Sequence, residues 1–330
     1  MPKSPVFNHP TQGKNMKILI IGSGAVGGFI GARLIEKKCD VTFLVRAERK
    51  LRLVTRGLQL RSQFGAFRRP VHAITADEIR GAYDLVVPTV RGHQYEEALL
   101  LASTAVGPDT VLVPVIEGAR HLESIPGAEG PRIIGAVMEA RTTLDADWIL
   151  SQRSPTAELH IGAMRLADKQ LAAELAKLFA GRGIKVIESN RVRAKCWERF
   201  TFMAAGIATS YLQQQRPLRD ALRFAHGPAH VQDMLKEGFR IGSAAGFAPD
   251  MIQVGKYERA FTLVGRPVAA PAMIGDDGAA GDEALYLLAE MVGIARRVGV
   301  GAYLFNLAWR SIAKPPEITL PADDYTVAQA

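Results

Sequence analysis

Six consecutive residues, Gly22-Ser23-Gly24-Ala25-Val26-Gly27, have the G-x-G-x-x-G spacing of a loop that holds a diphosphate with its backbone. In such a loop Gly22 allows a tight turn, Gly24 lets the main chain approach the phosphates, and Gly27 lets the next helix pack on the preceding strand. Free amides at the helix start attract the negative charge. A second chemical signal is Arg46, at the end of the next apolar run. An acidic residue roughly 20 residues past the first glycine accepts the ribose hydroxyls of NAD. A guanidinium there instead forks onto a 2′-phosphate, so the expected cofactor is NADP(H). Arg49, Lys50, Arg52 and Arg56 read as one solvated helical face, which does not account for the placing of Arg46.

These residues need particular elements to hold them. Residues 18–21 are an unbroken apolar run, the pattern of a strand buried on both faces of a parallel sheet. Phe29, Ile30, Leu34 and Ile35 follow at helical spacing, and 41–45 is a second strand ending at Arg46. Further strands are expected at 58–60, 71–74, 84–87, 111–115, 132–137, 158–161 and 184–187, with helices over 94–105 and 168–179. The alternation predicts an α/β, doubly wound Rossmann-type domain over 16–190, after a flexible extension at 1–15. From Arg191 onward, helical patterns in 192–213, 228–246, 282–298 and 302–312 predict a mostly α-helical domain, 191–330, for substrate binding and dimerisation. The proline-containing tail beyond Lys314 is expected to be a surface strap or loose.

The 330 residues suffice for two domains, and 48% hydrophobic content gives each a core. No apolar run approaches the roughly 20 residues of a membrane span, and the polar start is unlike a signal peptide. Cys39 and Cys196 are too few for a disulfide framework, so core thiols in a reducing cytoplasm are expected. The net charge of +8 is scattered, with no nucleic-acid motif, and suits anionic small molecules. His226 and His230 have the spacing of a helical metal pair, but Gly227-Pro228 disfavours a helix through both, so no metal is expected.

In a doubly wound sheet the ligand lies beyond the carboxyl ends of the strands. Two such ends carry suggestive residues: Arg91, His93 and Gln94 after the 84–87 strand, and Ile116-Glu117-Gly118 after the 111–115 strand. The helix beginning near 192 has an apolar stripe (Trp197, Phe200, Ala204, Ala208, Tyr211) and a second stripe of Arg199, Met203 and Ile207.

Taken together, these stretches resemble the ketopantoate reductase (2-dehydropantoate 2-reductase) family over nearly the whole chain. The segments KILIIGSGAVGGFIGARL and VTFLVR are similar to its cofactor strand, glycine loop and arginine-ended second strand. DLVVPTVRGHQ resembles the strand ending in Val-Lys-x-x-Gln, with Arg91 in place of lysine and Gln94 kept. Glu117 falls where the family has the asparagine of Gln-Asn-Gly, and Arg199 where it has the lysine of Trp-x-Lys. Met203 and Ile207 fall on two asparagines, Ala272 on a serine, and Glu283 on the glutamate of Thr-Glu. The resemblance implies a cofactor site at Gly22 to Gly27, Arg46, Arg91 and Gln94, catalytic groups at Arg199, Glu283 and Glu117, and a pocket at Met203, Ile207 and Ala272. In the family the lysine protonates the carbonyl oxygen as hydride arrives from the nicotinamide. A guanidinium holds its proton too tightly for that, but it can stabilise a developing alkoxide.

The expected function is therefore an NADPH-dependent oxidoreductase that passes a hydride to the carbonyl or imine carbon of a small substrate other than ketopantoate, in the interdomain cleft. Its alternative is a catalytically inactive NADP-binding sensor or partner-binding protein of the same fold. Bland readings stand beside each site residue. Arg199 and Glu117 also read as a structural ion pair and Glu283 as a helix-dipole cap; Lys195, one turn before Arg199, reads as a solvated or snorkelling lysine against the alternative of a substitute acid, and His93 as a loop histidine against a contact with the cofactor. A homodimer is left open, with no membrane or nucleic-acid partner expected.

Overall fold

The computed structural model describes residues 16–123, 131–213, 218–223, 226–250, 254–257, 259 and 278–312. The strands are β1 (Lys17–Ile21), β2 (Asp40–Leu44), β3 (Leu58–Ser62), β4 (Gly65–Arg69), β5 (His72–Ile74), β6 (Leu85–Pro88), β7 (Val111–Leu112), β8 (Arg132–Glu139), β9 (Thr142–Leu144), β10 (Leu150–Gln152), β11 (Ala157–Ala163) and β12 (Ile184–Glu188). Helices α1 (Ala25–Glu36), α2 (Ala47–Arg56), α3 (Tyr95–Leu101), α4 (Arg120–Glu123) and α5 (Lys169–Phe179) belong to the first part of the chain. Helices α6 (Val192–Leu212), α7 (Leu218–Ala221) and α8 (Gly227–Ala244) follow, then helices Gly278–Arg297 and Tyr303–Ser311.

Eight strands form one sheet in the order β12-β11-β8-β7-β6-β1-β2-β5. From β5 to β8 every neighbouring pair is parallel. The chain leaves β1 toward β2 and returns on its other side at β6, which makes the topological switch point where such sheets bind ligands. Ile18, Leu19 and Ile20 have no exposed surface, as expected of a central strand covered on both faces. The outer strands depart from the simple doubly wound expectation, because β11 runs antiparallel to β8. A separate four-stranded sheet, β4-β3-β10-β9, contains three strands with no clear sequence signal. In β4 a single residue, Phe67, is buried, so there is no alternation to read.

The helical part is centred on α6, of which most residues are buried. Its orientation is set by Trp197. The indole is fully buried, donates from Nε1 to the Gly238 carbonyl at 3.1 Å and stacks on Phe247 with centroids 5.2 Å apart. A Cβ on Gly242 would collide with that indole. Gly242 thus leaves the space that Trp197 fills, and one turn earlier on α8 Gly238 makes room for Thr201. With that face fixed, Lys195 and Arg199 must face the sheet. The helical core also draws in Ala119, Leu122 and Val137 from the sheet side, so the two parts share a packed boundary. Cys196 is buried, whereas Cys39 is partly exposed in the turn before β2.

Candidate active site

The sheet's carboxyl edge opens into a cleft of about 710 Å³ that includes Gly22, Ser23, Gly24, Arg46, Arg91 and Gln94 among its walls. The three loop glycines have three different local reasons. Gly22 has φ +97°, a conformation that favours glycine. A Cβ on Gly27 would collide with Thr89 Oγ1 and the Gly22 carbonyl oxygen. Gly24 has neither constraint, since a Cβ there would meet nothing within 4 Å. It is also the N-cap of α1 and supplies no side-chain cap. Open space over an uncapped helix start is what a diphosphate requires. Ala25 and Val26 form the first turn of that helix.

Arg46 is exposed at the cleft rim, where it caps α2. Arg49 is not on a solvated face, contrary to expectation. It is 7% exposed, donates to Ser23 Oγ (2.7 Å) and to the Ser23 carbonyl (3.0 Å), and stacks 4.4 Å from the Trp148 ring. Burial, aided by Arg52, lowers its pKa to about 10, so it stays charged at neutral pH. Lys50 pairs with Glu78. Neither Trp148 nor its link to Arg49 had a sequence signal, because the pair joins α2 to the β9–β10 connection.

The inner end of the cleft abuts a cluster of charges. Gly92, flanked by the cleft residues Arg91 and Gln94, lies so close to the Glu117 carbonyl that an added Cβ would be 2.9 Å from it. Arg199 donates to Glu117 from Nε and Nη2, both at 3.0 Å and both to Oε1. The sequence left open whether these two residues pair, and they do. Because both donors go to one oxygen, Oε2 of Glu117 is buried with no partner. Burial pushes the Glu117 carboxyl up; Arg199 opposes this without cancelling it, and Glu283 and Glu139 add to it. For Arg199, burial works to lower the pKa, but Glu117, with Glu139 and Tyr257, more than reverses it and the guanidinium keeps its proton.

Glu283 is 1% exposed and is not a helix cap, because it falls in the second turn of the Gly278–Arg297 helix. It accepts from the Gly92 amide at 3.0 Å through Oε1, and from His93 Nδ1 at 2.8 Å through Oε2. One heptad later on that helix, Glu290 accepts from the amides of Ala119 (3.0 Å) and Arg120 (2.6 Å). Two carboxylates thus clamp the loops after β6 and β7, and His93 takes part in the clamp. Met203 and Ile207 have 1% and 0% exposure and pack in the helical core, so neither presents surface to the cleft. Ala272 lies outside the described residues.

Lys195 is the residue that sequence reading undervalued. It is only 8% exposed, pairs with Glu139 Oε1 at 2.6 Å and donates to the Tyr257 hydroxyl at 3.1 Å. Tyr257 itself donates to Glu139 at 3.2 Å. A carboxylate at the end of the 132–139 strand was the available clue. Glu139, Glu158 and His160 could place ligand atoms within 4.8 Å of one another, but Lys195 and Lys185 already pair with the two carboxylates. His226 is the N-cap of α8, outside the helix that carries His230. Among the described residues, no helix is long and apolar enough to cross a membrane.

Comparison with known proteins agrees with this architecture. A family model described as ketopantoate reductase PanE/ApbA matches residues 18–165. The uncharacterized oxidoreductase YkpB of Bacillus subtilis is 29% identical over 225 residues, covering 67% of this chain and 73% of that protein. A 2-dehydropantoate 2-reductase of Mesorhizobium japonicum is 27% identical over 190 residues, covering 48% of this chain and 58% of its own length. Among solved structures, 2-dehydropantoate 2-reductase from Geobacter metallireducens superposes with a TM-score of 0.77 at 21% identity, over 90% of this chain and 99% of that one. D-mandelate dehydrogenase with NADH and anilino(oxo)acetate gives a TM-score of 0.78 at 15% identity, over 90% and 97% of the two chains. At those identities the structures show the shared fold. Residues 18–165 thus match the ketopantoate reductase PanE/ApbA family model, and the chain shares its fold with solved ketopantoate reductases.

Proposed function

We propose that this protein is an NADPH-dependent reductase that reduces the carbonyl or imine carbon of a small substrate held between the sheet edge and α6. The carrying observation is at Gly92, which is flanked by the cleft residues Arg91 and Gln94 and lies against the main chain of Glu117, whose part-buried side chain pairs with Arg199. The residues present fit the cofactor. Gly22 to Gly24 and the start of α1 would hold the diphosphate. Arg46, exposed at the rim, would take the 2′-phosphate, with Arg91 and Gln94 on the facing wall. When bound, the reduced nicotinamide supplies the hydride.

The protein's own groups act electrostatically. Arg199, charged and shielded from water, stabilises negative charge developing on the substrate oxygen more strongly than it would in solution. Glu117 Oε2 is buried and unpartnered, so it suits a substrate N–H or O–H, and in its protonated form it can donate a hydrogen bond. Glu283 works indirectly by fixing the Gly92–His93 loop. The carboxylate at 117 favours a substrate other than ketopantoate, itself an anion.

The test is titration with NADPH and NADH, followed by NADPH consumption against 2-oxo acids, ketones and imines. NADPH should bind at least tenfold more tightly, and one substrate class should be reduced. Equal affinity for both nucleotides would remove the NADP assignment. Tight NADPH binding with no turnover would favour the sensor alternative, which the closed Arg199–Glu117 pair also suits. Gain of ketopantoate reduction by Arg199→Lys would mark the pocket as an eroded one rather than a repurposed one.

A further inference from the structure

We propose that Lys195 is the proton donor of this site, aimed by Glu139 and Tyr257, while Arg199 supplies charge alone. The inference rests on the reductase reading above. It starts from a division of labour visible in the two cations that α6 presents to the sheet edge. Arg199 turns its Nε and Nη2 donors to Glu117 and cannot release a proton at working pH. Lys195, one turn earlier on the same face, has three N–H donors, of which Glu139 and Tyr257 take two. Nothing among the described residues takes the third, which under this proposal goes to a substrate oxygen.

The surroundings support transfer rather than mere pairing. Glu139 closes β8 at the carboxyl edge, beside β7, whose own end leads to Glu117. Lys195, Tyr257 and Glu139 form a closed triangle, in which lysine donates to tyrosine and both donate to the carboxylate. The ammonium also lies 5.4 Å from the Tyr257 ring centroid, so its direction is fixed from two sides. The Glu139 side chain is 28% exposed, which gives the triangle a route to water, whereas Lys195 is almost closed off. A proton spent on substrate can therefore be replaced.

The step balances as follows. As the carbonyl carbon gains a hydride from the reduced pyridine nucleotide, the carbonyl π pair moves onto oxygen and takes a proton from the Lys195 ammonium. The products are the alcohol, the oxidised nucleotide and a neutral amine, which solvent reprotonates past Glu139. Other titrating or charged groups surround the lysine. Glu139 and His160 face it from the sheet, Tyr257 and Lys256 come from the 254–257 segment, and Glu198 and Arg199 are its neighbours on α6. The Cys196 thiol, pushed up to about 12 by burial, stays neutral. Glu139 is the carboxylate in direct contact with Lys195, so it governs how firmly the proton is held. Burial works to raise its pKa, and Lys195, with Arg199 and His160, overrides this and holds it ionised.

The test measures kcat and its pH profile for the full-length chain with NADPH and the best substrate from the panel, for wild type, Lys195→Met, Glu139→Gln and Tyr257→Phe. NADPH affinity and melting temperature are checked in each. Lys195→Met should lower kcat at least 100-fold at unchanged NADPH affinity and abolish the basic limb of the profile. Glu139→Gln removes a negative charge from the ammonium, so its basic limb should move to lower pH with kcat down about tenfold. Tyr257→Phe should cost about fivefold. If Lys195→Met fails to fold, the Glu139→Gln limb decides alone. Retention of kcat within threefold in Lys195→Met, or an unmoved limb in Glu139→Gln, overturns the proposal. If wild type itself reduces nothing in the panel, the reductase reading falls first and this proposal with it.

Discussion

The two ends of the cleft are built by different means. At the nucleotide end the constraints lie in the backbone and are mostly local: Gly22 needs its positive φ, and Gly27 is pressed between Gly22 and Thr89. At the chemical end they lie in side chains brought together from far apart, 82 residues for Arg199 with Glu117 and 191 for Gly92 with Glu283. A backbone site tolerates almost any side chain that does not fill it. A side-chain site can be rewired one residue at a time without changing the fold.

Gly27→Ala and Gly24→Ala test the comparison most severely. At Gly27 the added methyl strikes a hydroxyl and a backbone carbonyl oxygen, and the carbonyl cannot swing away as a flexible side chain could. Unfolding experiments should show a loss of about 3 kcal/mol, at the upper end of overpacking costs and despite the better helix propensity of alanine. Gly24→Ala should leave stability within about 0.5 kcal/mol yet weaken NADPH binding tenfold or more, about 1.4 kcal/mol. If Gly24→Ala binds NADPH normally, the open space above Gly24 is not the diphosphate site.

The chemical end should carry the pH sensitivity. His121, two residues after Ala119 of the clamped loop, is buried with both ring nitrogens unpartnered, and burial pushes its pKa down to about 4 from 6.5. The folded value lies below the unfolded one, so the associated stability is complete above pH 6.5 and is lost as pH falls toward 4. The gap corresponds to about 3 kcal/mol. Denaturant midpoints at pH 7 and 4.5 should converge in His121→Leu relative to wild type; parallel losses in both proteins would assign the acid limb elsewhere.

Glu283→Gln probes the clamp. The amide keeps one oxygen for the Gly92 amide but turns a donor toward His93, so stability should fall by about 2 kcal/mol. NADPH affinity should fall several-fold with it, because the same loop carries Arg91 into the cleft. Loss of stability with unchanged nucleotide affinity would separate the clamp from the cofactor site.

The same asymmetry governs what the sequence could reveal. The strand, glycine turn, helix and second strand at 17–45 were legible because their signals are local: an apolar run, spaced glycines and helical periodicity. The helices near 192, 228, 282 and 302 were legible for the same reason. β4 and β9 were not, since so little of each is buried, and β10, although Leu150 and Gln152 are buried, is only three residues long and one of its two inward residues is polar. Arg49 looked solvated because nothing in its own helix announces Trp148, and Lys195 looked solvated because Glu139 and Tyr257 lie 56 and 62 residues away. Burial of a long cation depends on partners that periodicity cannot supply.

Arg46→Ser has the smallest expected effect and the narrowest meaning. The side chain is exposed at the cleft rim, so solvent screens whatever it binds. A forked contact to a 2′-phosphate under those conditions contributes about 1 kcal/mol, which corresponds to roughly fivefold weaker NADPH binding. NADH lacks that phosphate, so its affinity should not move. Melting temperature should also be unchanged, because no packed neighbour depends on Arg46. Equal weakening of both nucleotides would mean that Arg46 acts on the diphosphate or on the shape of the cleft, and the choice between the two cofactors would then fall to Arg91 on the opposite wall.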